Sequence, residues 1–151
     1  MSGALREQTL AYLEGHNVMT LATRGREGPW AAAVFYVNEG FTLNFLSAPH
    51  TRHCSDIAAD GQVAGAIHED YGSWVEIKGI QFEGHARRIS GSAHDAAVAR
   101  YQHKFPFTGG GAAGQVKEAL GGVAWYEVTL HTVYLIDNSK GLGHREQVPL
   151  R

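Results

Sequence analysis

The decapeptide Ser47-Ala48-Pro49-His50-Thr51-Arg52-His53-Cys54-Ser55-Asp56 gathers hydrogen-bond donors where an apolar run, residues 41–46, gives way to a helix predicted to open near Thr51. A helix start leaves its first backbone N–H groups without intrahelical partners and carries the positive end of the helix dipole. A guanidinium (Arg52), two imidazoles (His50, His53) and the hydroxyls of Ser47 and Thr51 at the same corner make it suited to binding an anion, phosphate above all. No Walker or dinucleotide glycine loop occurs, so the reading rests on donor density at a strand-to-helix junction. A capped helix with solvated Arg and His side chains is the structural alternative.

Other chemistries find less support. Of nine histidines, His50 and His53 stand three apart, and His16, His68, His131 and His144 are scattered. None forms a His-Glu-x-x-His pair or a Cys/His cluster, and a single cysteine cannot build a thiolate site, so no metal centre is expected. Haem on one axial imidazole leaves no spacing signature and stays open. Ser47 and Ser55 lack a Gly-x-Ser-x-Gly setting. Cys54 is expected to pack inward as a small apolar side chain, with its helix-start position and its burial pulling the thiol pKa in opposite directions. Arg87 and Arg88, consecutive on an extended segment, point to opposite faces. Arg100 and Lys104, four apart on a predicted helix, read as a solvated basic surface. Trp30, Phe35, Tyr36, Trp74, Trp125 and Tyr126 fall on predicted strands, where core packing is the default and one or two are free to flank a planar ligand.

The elements that must position these residues are mostly extended. Residues 17–23, 29–37, 41–46, 62–67, 74–89, 123–130 and 132–137 carry β-rich, alternating patterns separated by Gly, Asn and Asp turns. Gly79 and Gly84 inside the longest of them signal a bulge or a close backbone approach. Helices are expected after Ser2, from Thr51, and over residues 93–104 behind a Ser92 cap, with a connector at 108–114 and one helical turn at 115–120. Residues 139–151 read as a tail. The expected class is mainly β (α+β): a six-stranded antiparallel β-barrel with peripheral helices, forming one domain over residues 1–151.

Charge and composition narrow the partners. Thirteen Lys and Arg against fifteen Asp and Glu give a net charge of -2, without a basic tract interleaved with aromatics, so neither nucleic acid nor membrane is an expected partner. One cysteine and the lack of a signal-like start point to the cytoplasm.

Four short segments, taken in order, add a resemblance. They are Thr51-Arg52-His53; Gly79-Ile80-Gln81-Phe82-Glu83-Gly84 with Arg87-Arg88; residues 101–106 (YQHKFP); and Asp137-Asn138 with Gly141-Leu142-Gly143. Together they resemble the pyridoxamine 5'-phosphate oxidase-like, FMN-binding split-barrel family, in a short bacterial branch. The resemblance implies a split barrel in which Thr51, Arg52 and His53, with Ser47, hold the flavin phosphate. Ala33 and Val34 on the extended segment 31–35 would run along the isoalloxazine edge, with Trp125 nearby. It implies a homodimer with cofactor pockets at the subunit interface and flavin-borne hydride or electron transfer on a small-molecule substrate. His53 stands where the family carries Lys. Lys78-Gly79 replaces an Arg-Gln pair, and the C-terminal Leu-Ala-Pro motif is absent, so pyridoxamine phosphate itself is not the implied substrate. A non-catalytic split barrel holding haem or a deazaflavin is the alternative.

Overall fold

The computed structural model describes residues 2–106 and 122–151. The chain runs α1 (Ser2–Gly15), β1 (Val18–Gly25), β2 (Gly28–Phe35), β3 (Val37–Glu39), β4 (Thr42–Ser47), α2 (Arg52–Ala59), β5 (Gln62–His68), a 3-10 turn (Trp74–Glu76), β6 (Lys78–Arg88), α3 (Gly91–Lys104), β7 (Ala124–Asp137), a second 3-10 turn (Asn138–Lys140) and β8 (Arg145–Gln147). All strands belong to one antiparallel sheet ordered β2-β1-β5-β6-β7-β4-β3, with β8 also on β7. The mainly β class read from the sequence, an antiparallel barrel with peripheral helices, is the observed one, built as a curled half-barrel sheet with more than the six strands expected. Its six long strands are joined by two three-residue strands, β3 and β8.

Alternation decides which face each strand buries. Met19, Leu21, Leu43, Phe45, Ile67, Ile80, Phe82, Val128 and Val133 fill the concave side with Leu13 of α1. A second, smaller core lies on the other face of the β4–β7 pair, where α3 lays Ala97, Tyr101 and neighbouring Phe105 over Trp125 and Ile89. Ring contacts of 4.8 Å (Tyr101–Phe105) and 5.2 Å (Tyr101–Trp125) consolidate it.

Several local expectations are corrected. Residues 123–130 and 132–137 are one fourteen-residue strand, because Glu83 pairs with Thr132 and Gly84 with Leu130, leaving His131 as the extra residue of a bulge. Gly84 is required there, since a Cβ would meet the Thr129 carbonyl oxygen at 2.6 Å. The long strand begins at Lys78, not at residue 74, and Trp74 sits on an exposed 3-10 turn. Ser90, not Ser92, precedes α3. Arg100 and Lys104 are not a solvated surface. The Arg100 guanidinium donates to Asn44 Oδ1 at 3.0 Å and pairs with Glu39, while the Lys104 ammonium donates to the carbonyls of His16 and Tyr36. Residues 139–151 are not a loose tail: β8 pairs with β7, and Val148 is buried, its N–H donating to Val133. The Asp137-Asn138 motif is structural, Asn138 donating to the Trp74 carbonyl and accepting from the Gly143 N–H. The connector and helical turn expected at 108–114 and 115–120 lie outside the described residues. Among the described residues no helix is long and apolar enough to cross a membrane.

One buried tie fixes α2 against the β1–β2 hairpin. Thr23 donates its hydroxyl to Asp56 Oδ2 at 2.8 Å, and both side chains are buried. Gly25 leaves room for that carboxylate, because a Cβ there would stand 2.1 Å from Asp56 Oδ1. Thr23→Val keeps the shape but strands a buried carboxylate oxygen, so urea denaturation is expected to show a loss of about 1–3 kcal/mol.

Candidate functional site

The junction that drew attention in the sequence lies at the mouth of the half-barrel, where β4 ends at Ser47 and α2 begins at Arg52. Thr51 occupies the N-cap position with extended backbone (φ -65, ψ 154), yet its side chain makes no capping bond. Its hydroxyl donates backward to the Ala48 carbonyl at 2.9 Å, so the first N–H groups of α2 lack a side-chain cap. Ser47 Oγ lies 2.8 Å and Thr51 Oγ1 3.4 Å from His53 Nε2, and the His53 ring is buried beside Phe45. Three of the four proposed phosphate residues therefore form one hydrogen-bonded cluster.

Arg52, the fourth, leaves the helix about 100° away from His53 and turns toward the β1–β2 hairpin. Its guanidinium lies 4.2 Å from the centroid of the Trp30 ring, 3.5 Å from a Glu27 carboxylate oxygen and 3.3 Å from the Glu27 carbonyl. Its Nε is buried without a partner. Trp30, a core candidate by pattern, is 44 % exposed and serves as the platform for this cation.

Ala33 and Val34 sit on β2, an edge strand, with Ala33 exposed and Val34 facing Met19 across the β1 pairing. Trp125 pairs with Leu46 and Tyr126 with Phe45, so Trp125 points to the α3 side of the sheet while Tyr126 shares the Ser47 side. The structure thus brings Ser47, Thr51 and His53 together, with Arg52 on the adjoining flank, and sets Trp125 on the opposite face.

Cys54 of the decapeptide and Tyr126 belong to the same corner, and Tyr126 was not tied to it by spacing, since it arrives from β7 across the sheet. Cys54 is buried as expected. Burial raises its pKa, but hydrogen bonds from His53, Thr51, Tyr126 and Ser47 outweigh it and bring the thiol down to about 7. Burial, joined by the Cys54 contact, pushes the Tyr126 phenol up, and its ring stacks on Phe45 at 5.0 Å. Among the described residues no three His, Cys, Asp or Glu side chains come together as a metal set.

The family model for pyridoxamine 5'-phosphate oxidase matches residues 5–137, from α1 through the end of β7. The chain belongs to the pyridoxamine 5'-phosphate oxidase family. Among curated relatives of this family member, a UPF0306 protein of Photorhabdus laumondii is 32% identical over 136 residues, 89% of this chain and 88% of that one. Two solved structures share the family fold. A heme binding protein from Mycobacterium smegmatis has TM-score 0.74 at 21% identity, covering 99% of this chain and 58% of that one. A heme storage protein from Vibrio cholerae has TM-score 0.67 at 15% identity, covering 84% and 90%. At these identities they share the fold alone.

The depressed thiol pKa has a sign that can be checked. A free thiol titrates from 9.0 and the folded Cys54 from about 7, so the folded state releases its proton first. Its contribution to stability is fully present above pH 9 and is lost as pH falls through 7. Lys104 acts in the same sense, since burial lowers its pKa to about 8 and the charged form is the disfavoured one. Stability is expected to rise between pH 7 and 9, and Cys54→Ser is expected to remove roughly 2 kcal/mol of that rise, read from urea unfolding at both pH values.

Proposed function

We propose that this chain is an FMN-binding oxidoreductase that works as a homodimer in a reducing cytoplasm, which suits its single free thiol. The observation that carries the reading is the donor corner at the barrel mouth. Ser47, Thr51 and His53 converge within hydrogen-bond range, α2 opens without a side-chain cap, and Arg52 keeps a buried Nε unpartnered. This donor set fits a phosphate monoester at a helix start. Bound flavin would supply hydride and electron transfer. The chain's own work is to hold the phosphate on Arg52 and Ser47, with the Thr51 hydroxyl joining them by turning from the Ala48 carbonyl, to keep Ser47 in place through the His53 ring, and to lay the ring system along the Ala33–Val34 edge. The same corner would accept the phosphate of a deazaflavin. Pyridoxamine phosphate is not the proposed substrate.

The dimer reading rests on the convex face of the sheet. Ala31, Ala33 and Phe35 of β2, Val18, Thr20 and Ala22 of β1, and Ala64 and Ala66 of β5 share it by register. Phe35 and Val18 are 48 % and 42 % exposed, beside side chains small enough for another backbone to approach closely. A contiguous apolar face next to an unpaired edge strand is poorly suited to water and well suited to a second copy.

Haem is the second reading, supported by the two haem proteins that share the fold. In this chain the histidine that replaces lysine is committed to Ser47 and Thr51, which favours the phosphate role for that corner.

Titration of the purified chain with FMN is expected to quench flavin fluorescence, and Arg52→Ala to weaken binding about tenfold or more, the worth of a charge-assisted contact. Glu27→Gln, which frees Arg52, is expected to tighten it. A Soret band on haem addition without flavin quenching would reverse the order of the two readings. Ala33→Glu is expected to convert a dimer to a monomer in light scattering on a sizing column.

A further inference from the structure

The flank of α2 opposite Arg52 opens on a groove of about 680 Å³ between the helix and the ends of β6 and β7. His50, Ser55, His85, Arg87 and Arg88 supply its polar lining, Tyr126 an aromatic wall, and no carboxylate lines it. Two acidic residues close by are already engaged: Glu127 with Arg87 at 3.2 Å, and Asp60 with Arg24 at 2.6 Å. The Arg88 side chain makes no hydrogen bond or ion pair among the described residues, and neither do the imidazoles of His50 and His85.

We propose that this groove is a second anion site, separate from the flavin corner, that binds a small organic phosphate monoester. The two sites adjoin at Cys54 and Tyr126 but draw on different cations, since Arg52 and Asp56 face the β1–β2 hairpin while Ala58 faces the groove and Arg88 lines it. The ligand class follows from donors and charge. Arg88 brings a guanidinium fork, His50 and Ser55 line the groove from the helix side, and no carboxylate opposes them, a set that suits the double charge and three terminal oxygens of a phosphate monoester better than the single charge of a carboxylate. The volume lies within the range of small-molecule pockets and leaves room beyond a phosphate for an organic group against Tyr126.

Calorimetric titration of the full chain with phenyl phosphate, and separately with benzoate, tests this directly. Phenyl phosphate is expected to bind, with benzoate about tenfold weaker or more. Arg88→Ala is expected to reduce phenyl phosphate affinity about tenfold or more, and Ala58→Glu, an exposed helix position that puts a carboxylate into the groove, to abolish it. FMN quenching should be unchanged in both variants, which also reports that they fold. The proposal is overturned by the absence of binding heat at about 10 mM phenyl phosphate, an affinity too weak for a built site. Unchanged affinity in both variants overturns it as well, and so does a loss that follows Arg52→Ala instead, which puts the anion at the flavin corner. Equal binding of benzoate overturns the phosphate assignment.

Discussion

Helix α2 is seated in the mouth of the curled sheet by polar contacts that have been taken out of water. Asp56 accepts from Thr23 under the hairpin, and His53 is bracketed by Ser47 and Thr51 above the end of β4. A buried carboxylate or imidazole left without its partner is costly, so these contacts hold the helix in rotation as well as in position. Gly25 makes the first of them sterically feasible, and apolar contacts of Ile57 and Cys54 with the concave core do the rest. With the helix angle fixed, each of its flanks has one neighbour. Arg52 meets Trp30 and Glu27 on one side, and Cys54 and Ala58 meet the ends of β6 and β7 on the other.

That geometry explains what could be read from the chain alone. The donor corner is local: ten consecutive residues carry it, so composition at one strand-to-helix junction was enough to draw attention to it. The long strands were legible because alternation and interior glycines are also local signals. Partners across the sheet are different in kind. Tyr126 joins the Ser47 corner only because it pairs with Phe45, and Trp125 leaves it because the next residue on a strand faces the other way. His131 looked like a break between two strands because a polar residue interrupts the apolar alternation there, whereas a single bulge absorbs it without ending the pairing. The basic helix face was misread for the same reason. Arg100 and Lys104 are spaced as solvated residues are, but they lie over the β3–β4 end of the sheet and hold acceptors there.

With His53 where the resemblance places a lysine, an anion at this corner would be held differently. A lysine at that position brings a mobile point charge, while this imidazole is buried and spends its Nε2 on two hydroxyls. Its effect is to orient Ser47 and Thr51, and the permanent positive charge of the corner is that of Arg52. That guanidinium is shared with an exposed carboxylate at 3.5 Å and an indole at 4.2 Å. The ion pair with Glu27, whose side chain is 77% exposed, is worth at most about 1 kcal/mol. A charge-assisted hydrogen bond to phosphate is worth about 1.5–3 kcal/mol. An incoming phosphate would therefore displace Glu27 from the guanidinium without having to displace the ring, because the faces of the guanidinium stack while its edges donate. Trp30 keeps the cation in place between these partners, which is why an exposed tryptophan stands at the start of an edge strand.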